Sequence, residues 1–353
     1  MKLRILALLC VFATILSFAS CKKADDGESF ESNPPIEVRV QTLNGTTGFA
    51  MAKLMEDAAN GVFTNEKFTF EVKTDASEVL TSLINGSVDI ASLPTTAASV
   101  AYNKTEGGVT MLAINTLGCL YLVNSGESLN ANDSLYDALS GKIVYVPAQN
   151  PAFILEYLCT QKRLTVITEG EPKPGQVLID STSYAAPANL RDAVATGAVT
   201  LAVLPEPMVT LAKNKAKQAE PSITLHVEMD LTEVWDKIDS KHTGTLVQGC
   251  IVVRNEFLKE HPYAVANFLE QYKKSVSFLT ENVDEAASLI VKHGIFANEA
   301  VAKEAIPKCN VKYIEGAQMK NATTSYLSKI MTINANAIGG KVPEENFYYH
   351  ATR

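Results

Sequence analysis

Cysteine is scarce and dispersed in this sequence: six residues, no two of them in a CxxC pair. That spacing excludes a thiolate metal centre and a disulfide scaffold, which need paired or dense thiols. The five histidines, His226, His242, His261, His293 and His350, include no i,i+4 pair, so no metal site is expected. GxSxG, HExxH, GxGxxG and Walker patterns are all missing, and with them the usual signatures of hydrolases, metalloproteases and nucleotide enzymes. The chain is therefore read as no enzyme and as needing no cofactor. Basic residues are outnumbered, 31 Lys+Arg against 39 Asp+Glu. Nucleic acid requires a basic footprint, so it is not an expected partner. Beyond the first twenty residues no apolar run approaches the ~20 residues that a membrane-crossing helix needs.

The first 21 residues do carry a pattern. Lys2 and Arg4 precede an apolar run from Ile5 to Phe18, and Ala19-Ser20 leads into Cys21. A basic start, an apolar core and small residues before a cut site describe a secretory signal over residues 1–20. An uncleaved anchor is the other reading. A cysteine directly after small residues resembles the lipobox of bacterial lipoproteins, which implies lipidation at Cys21. Removing residues 1–20 takes away two basic groups and no acidic one, leaving 29 − 39 = −10. Residues 21–35 are polar, charged and closed by Pro34-Pro35, which suits a tether and no core. The expected location is thus the cell membrane, held by lipid, facing the periplasm or the cell exterior.

From Val38 onward strands and helices alternate. Strands are predicted at Val38–Leu43, Phe68–Lys73, Val88–Leu93 and Val109–Asn115, with helices at Phe49–Ala59, Ala76–Ile84 and Thr95–Tyr102 between them. This order implies parallel strands with right-handed crossovers. A second series follows: Lys142–Pro147, Val177–Ser181 and Thr200–Leu204 as strands among helices Ser134–Leu139, Ala152–Cys159, Ala188–Thr196 and Pro207–Lys215. Thr168–Gly175 reads as an exposed loop. Beyond Leu246–Val253 the chain is mostly helical: Phe257–Glu281, Val283–His293, Asn298–Ile306 and Ala317–Ile338.

Two α/β series followed by a return of the chain predict two lobes. The first takes residues 36–116 and 254–353, the second 117–253. Leu117–Asn124 would carry the chain out and Leu246–Val253 back. If these segments lie side by side, Cys119 and Cys250 approach each other, and a disulfide there would stiffen the hinge.

The chain from about Ile36 resembles the substrate-binding proteins of bacterial ABC importers, in the subgroup serving nitrate, sulfonates, bicarbonate and thiamine pyrimidine precursors. The segments that carry the resemblance are Ser87-Val88-Asp89-Ile90-Ala91, Gly141-Lys142-Ile143-Val144-Tyr145-Val146-Pro147 and Leu204-Pro205-Glu206-Pro207. Asp230-Leu231-Thr232-Glu233-Val234-Trp235 and Gln248-Gly249-Cys250-Ile251-Val252-Val253 complete it. It implies an α/β fold of the two-lobed type II periplasmic binding kind, each lobe a mainly parallel sheet flanked by helices, with extra C-terminal helices. It also implies capture of a small-molecule solute by a monomer and delivery to an ABC permease and its ATPase. A ligand-sensing or surface-interaction lipoprotein uncoupled from transport is the alternative.

In open α/β sheets ligands sit at the carboxyl ends of strands. Those ends carry Asn44, Thr46, Thr47, Thr95, Thr96, Asn115, Gln149, Asn150, Tyr184 and Glu206, the candidate ligand-binding residues. The threonines are open to two readings, helix caps or ligand contacts. Phe49, Tyr121, Phe153 and Tyr184 are candidates to stack on a planar ligand. Glu206, between two prolines, either accepts from a ligand or caps the next helix. On the first reading, Glu206→Ala weakens binding and leaves melting without ligand unchanged. No arginine falls at a strand tip, so a neutral or amine-bearing ligand is favoured over an oxyanion.

Overall fold

The structure, a computed structural model, describes residues 34–130, 132–238, 240 and 243–350. The segments predicted as a secretory signal and as a lipidation site at Cys21 lie outside the described residues. The chain opens with β1 (Ile36–Leu43), α1 (Thr46–Phe49), α2 (Ala52–Ala59), β2 (Glu66–Lys73), α3 (Ala76–Ile84), β3 (Ile90–Pro94), α4 (Thr95–Lys104) and β4 (Val109–Leu117). It continues through β5 (Leu120–Asn124), α5 (Leu135–Leu139), β6 (Lys142–Tyr145), α6 (Asn150–Gln161), β7 (Thr165–Ile167) and β8 (Gln176–Asp180). Then come α7 (Pro187–Ala195), β9 (Leu201–Pro205), α8 (Met208–Gln218), β10 (His226–Asp230) and α9 (Leu231–Ile238). The last part holds β11 (Val247–Arg254), α10 (Asn255–Glu260), α11 (Pro262–Glu281), α12 (Val283–Lys292), α13 (Glu299–Ala305), β12 (Val311–Ile314) and α14 (Gly316–Ile333).

These strands form two six-stranded sheets, ordered β12-β4-β11-β3-β1-β2 and β10-β5-β9-β6-β8-β7. In the first, β1 to β4 all run one way, as their helical crossovers require, while β11 and β12 run the other. In the second only β5 is reversed. Every residue of β4 is buried, the pattern of a central strand covered on both faces. The edge strand β2 instead places Glu66, Lys67, Glu71 and Lys73 among its apolar positions, which discourages edge-to-edge pairing.

The return strand is where expectation and structure differ most. Val247–Arg254, expected as the exit from the second lobe, is inserted between β3 and β4 of the first sheet. The crossing segments meet only at their ends, where Val247 pairs with Leu117 and the Cys119 N–H donates to Gln248 Oε1 at 2.6 Å. Cys250 lies three residues further in, between Leu93 and Ile114. Cys119 and Cys250 are both free and buried, so the disulfide left open for the hinge is not formed. Gly118 marks the crossover: a methyl there would overlap Thr232 and Leu246.

Smaller differences have local causes. The helix predicted over Phe257–Glu281 is interrupted at His261, because Pro262 cannot donate to the preceding turn and opens a new helix instead. The strands β7 and β12 and the helix α9 were not anticipated. The two strands are three and four residues long, too short for a periodic signal.

One apolar cluster runs through both sheets' facing layers, from Leu43 and Val79 to Val144 and Trp235. The single tryptophan, Trp235 on α9, is 1 % exposed. Its ring centroid lies 4.9 Å from Tyr157 of α6 and 5.8 Å from Tyr326 of α14. Among the described residues no helix is long and apolar enough to cross a membrane.

Asp89, just before β3, ties three strands together. It accepts from the Arg39 backbone N–H, from Arg39 Nε at 2.9 Å and Nη2 at 2.6 Å, and from Arg254 Nη2 at 3.2 Å. Burial opposes its charge, but the hydrogen bonds from Arg39, with Arg254 adding, hold its pKa below the usual carboxylate value. A depressed carboxylate stabilises the fold above its unfolded pKa and loses that contribution as pH falls through the folded value. Asp89→Ala is expected to cost about 3 kcal/mol, at the low end for a broken buried pair because Arg39 is partly exposed. Urea unfolding at pH 7 checks the loss, which should shrink as pH falls below about 4, the range in which an ordinary aspartate protonates.

Candidate ligand-binding cleft

Loops at the strand ends of the two sheets meet at Thr46 and Glu206, and eight of the ten sequence-predicted residues fall into three groups. The first is a buried lattice in the N-terminal sheet. Asn115 donates from Nδ2 to Ser92 Oγ at 2.7 Å and to the Thr47 carbonyl at 3.3 Å, and its Oδ1 accepts from Thr116. Ser92 Oγ donates to the same Thr47 carbonyl. Gly249 is required beside it, since a methyl there would overlap Asn115 Oδ1. Thr95 is fully buried, and its hydroxyl makes no hydrogen bond.

The second group closes the cleft floor. Thr46 Oγ1 donates to the Glu206 carbonyl at 2.8 Å, joining the two sheets' loops, and lies 3.6 Å from Cys309 Sγ. Glu206 itself is 3 % exposed. Its carboxylate accepts from Thr210 N and Thr210 Oγ1, both at 3.1 Å, so it caps the first turn of α8. Burial raises its pKa, and the bonds from Thr210 only partly offset that. Tyr121 Oη donates to the Lys308 carbonyl at 3.1 Å across the same interface. Burial likewise pushes the Cys119 thiol up to about 12, so it stays protonated.

The third group surrounds a cavity of about 370 Å3 at the mouth of the cleft. Thr96 of α4 lines it from one side, Gln149, Asn150 and Phe153 at the start of α6 from the other. Asn150 Oδ1 accepts from Tyr326 Oη of α14, which anchors the amide. Gln149 has φ 67° and ψ −127°, a backbone conformation that side chains other than glycine rarely adopt. Holding it there costs on the order of 1–3 kcal/mol, strain of the kind that collects at binding sites.

Asn44 and Tyr184 join none of the three groups. Asn44 is exposed and its backbone N–H donates to the Lys73 carbonyl, while Tyr184 packs edge-on to Tyr145 at 5.7 Å. Of the aromatic candidates only Phe153 reaches the cavity; Phe49 is core, 5.9 Å from Phe296. Sequence reasoning missed Asp75 and Ser77 at the tip of β2, and Asn334 and Asn336 in the 3-10 turn Ala335–Ile338 region. The first pair follows the strand-tip rule used elsewhere and was legible. The second sits where helical periodicity was extended through Ile338, and only tertiary packing of α14 brings it to the cavity. Among the described residues no group of His, Cys, Asp and Glu is arranged to hold a metal ion.

Two substitutions test this geometry. Glu206→Ala removes the acceptor for a buried N–H and is expected to lower ligand-free stability by about 1–2 kcal/mol in urea unfolding. That differs from the unchanged melting expected of a residue that serves the ligand alone. Glu206→Gln keeps the acceptor and should stay near wild type. A raised carboxylate weakens the fold as pH climbs through its folded value, so Gln should gain on Glu above that value. Gln149→Gly relieves the strained backbone and is expected to raise the urea midpoint, by about 1 kcal/mol in stability.

No model of a known protein family and no curated protein matches this chain. Solved structures do. An ABC transporter protein from Parabacteroides distasonis is 23% identical, with a TM-score of 0.71 over 89% of this chain and 99% of that one. The periplasmic aliphatic sulphonate binding protein of Escherichia coli is 14% identical, with a TM-score of 0.66 over 90% and 94%. The alkanesulfonate-binding protein of Xanthomonas axonopodis pv. citri, bound to MOPS, is 13% identical, with a TM-score of 0.58 over 86% and 98%. With its two helix-flanked sheets joined by crossing segments, the chain has the same two-lobed α/β fold as these solved structures.

Proposed function

We propose that this chain is the solute-binding component of an ABC importer, an exported lipoprotein held by Cys21 that captures a small organic molecule between two lobes and presents it to a permease. The observation that carries the reading is the cavity between α4 and α6, where side chains from both sheets' helices meet at one opening. Thr96, Gln149 and Asn150 contact the solute in this reading, and the chain hinges where Leu117 pairs with Val247. A ligand that touches both lobes only when they are together shifts the population toward closure. The Thr46–Glu206 and Tyr326–Asn150 contacts would then belong to the closed form.

Trp235 supplies the test. It is the sole tryptophan and lies against Tyr326, so its emission should shift to the blue on addition of a solute that closes the lobes. The same solute, at 100 times its dissociation constant, should stabilise the chain by about 2.7 kcal/mol. Deleting the gene should abolish uptake of that compound. Unchanged uptake, or neighbouring genes without a permease and an ATPase, would point to the sensing alternative.

A further inference from the structure

From the chemistry of its wall we infer that the cavity at the mouth of the cleft takes a neutral or singly cationic molecule that bears amide or amine groups, and rejects oxyanions. The inference rests on the solute-binding reading above and names its substrate class. The polar side of the cavity is built from the carboxamides of Gln149, Asn150, Asn334 and Asn336, with the Asp75 carboxylate beside them. Leu80, Val100 and Phe153 form an apolar side. Carboxamides both donate and accept, which matches a ligand that displays N–H and C=O groups together. Asn150 is already oriented, since its Oδ1 is engaged by Tyr326 and its amide N–H groups remain the donors.

Charge decides the sign of the ligand. Among the described residues Asp75 is the single ionisable one lining the cavity, and no lysine, arginine or histidine lines it. The described arginines lie elsewhere. Arg39 and Arg254 bind Asp89, and Arg191 binds Asp192. Arg163 follows the far end of α6, about 18 Å along the helix from its start. An oxyanion would therefore meet a carboxylate without a guanidinium or ammonium to hold it. Three helices open here: α3 is capped by Asp75, whose Oδ1 accepts from Ser77 N at 2.8 Å, while α4 and α6 receive no side-chain cap and each leaves only a partial positive charge beside the full negative charge of Asp75. A cationic amine gains from that same carboxylate.

The experiment uses the full-length chain in mild detergent and matched probes. Nicotinamide, cytosine, glucosamine and butylamine form one series; nicotinate, orotate, methanesulfonate and nitrate form the other. Binding is read by Trp235 emission and by calorimetry. At least one neutral or cationic probe is expected to bind, ten times or more tighter than any anion. Gln149→Ala should weaken that probe tenfold or more, and Asp75→Asn should weaken an amine-bearing probe more than an uncharged amide. Tighter binding of an anion, lost in Gln149→Ala, would overturn this inference and leave solute capture standing. Binding by neither series would overturn both.

Discussion

The insertion of β11 between β3 and β4 is the constraint on which the rest of the molecule depends. A strand that returns from the second sheet must enter the first antiparallel to its neighbours, and there it completes the ladders on both sides. Asp89 secures the insertion electrostatically, because it receives Arg39 from β1 and Arg254 from the end of β11 at once. Helices α10 to α13 then cover one face of this sheet, and α14 is carried to the side where the two sheets meet. Without the return, neither Tyr326 nor the Asn334 and Asn336 turn would reach the cleft.

Contacts between the sheets divide by depth. At the floor, Thr46 and the Glu206 carbonyl meet in a dry environment, where the hydroxyl has few other partners and the contact is correspondingly specific. Around Trp235 the contact is aromatic and apolar, with Tyr157 and Tyr326 against the indole and its N–H donating to Thr245. At the mouth the wall turns to carboxamides, open to water. Buried polar groups are thus used to fix geometry, and solvent-facing ones line the open cavity.

The strain at Gln149 and the burial of Glu206 show two uses of residues that look alike at the sequence level. Both follow a strand of the second sheet and precede a helix. Glu206 turns its carboxylate back onto Thr210 and so stabilises α8. Gln149 instead is exposed at the cavity, and its helix receives no side-chain cap from it. A position that bears strain without capping is better explained by binding than by folding.

Much of the architecture was legible in the chain alone. Helices such as Ala76–Ile84 and strands such as Val109–Leu117 declare themselves through apolar spacing and length, since burying those faces is the main driving force available to them. Strand tips could be named as candidate contacts, and three of the residues named there, Thr96, Gln149 and Asn150, line one cavity. Periodicity could not say that β11 belongs inside the first sheet, because a buried strand reads the same wherever it is paired. Nor could it separate Glu206 from Gln149, or bring Asn334 beside Asp75, some 260 residues away in sequence. Local sequence determines which segments form elements and which face is apolar; long-range pairing decides neighbours, and hence which polar side chains cap, which brace and which face the cleft.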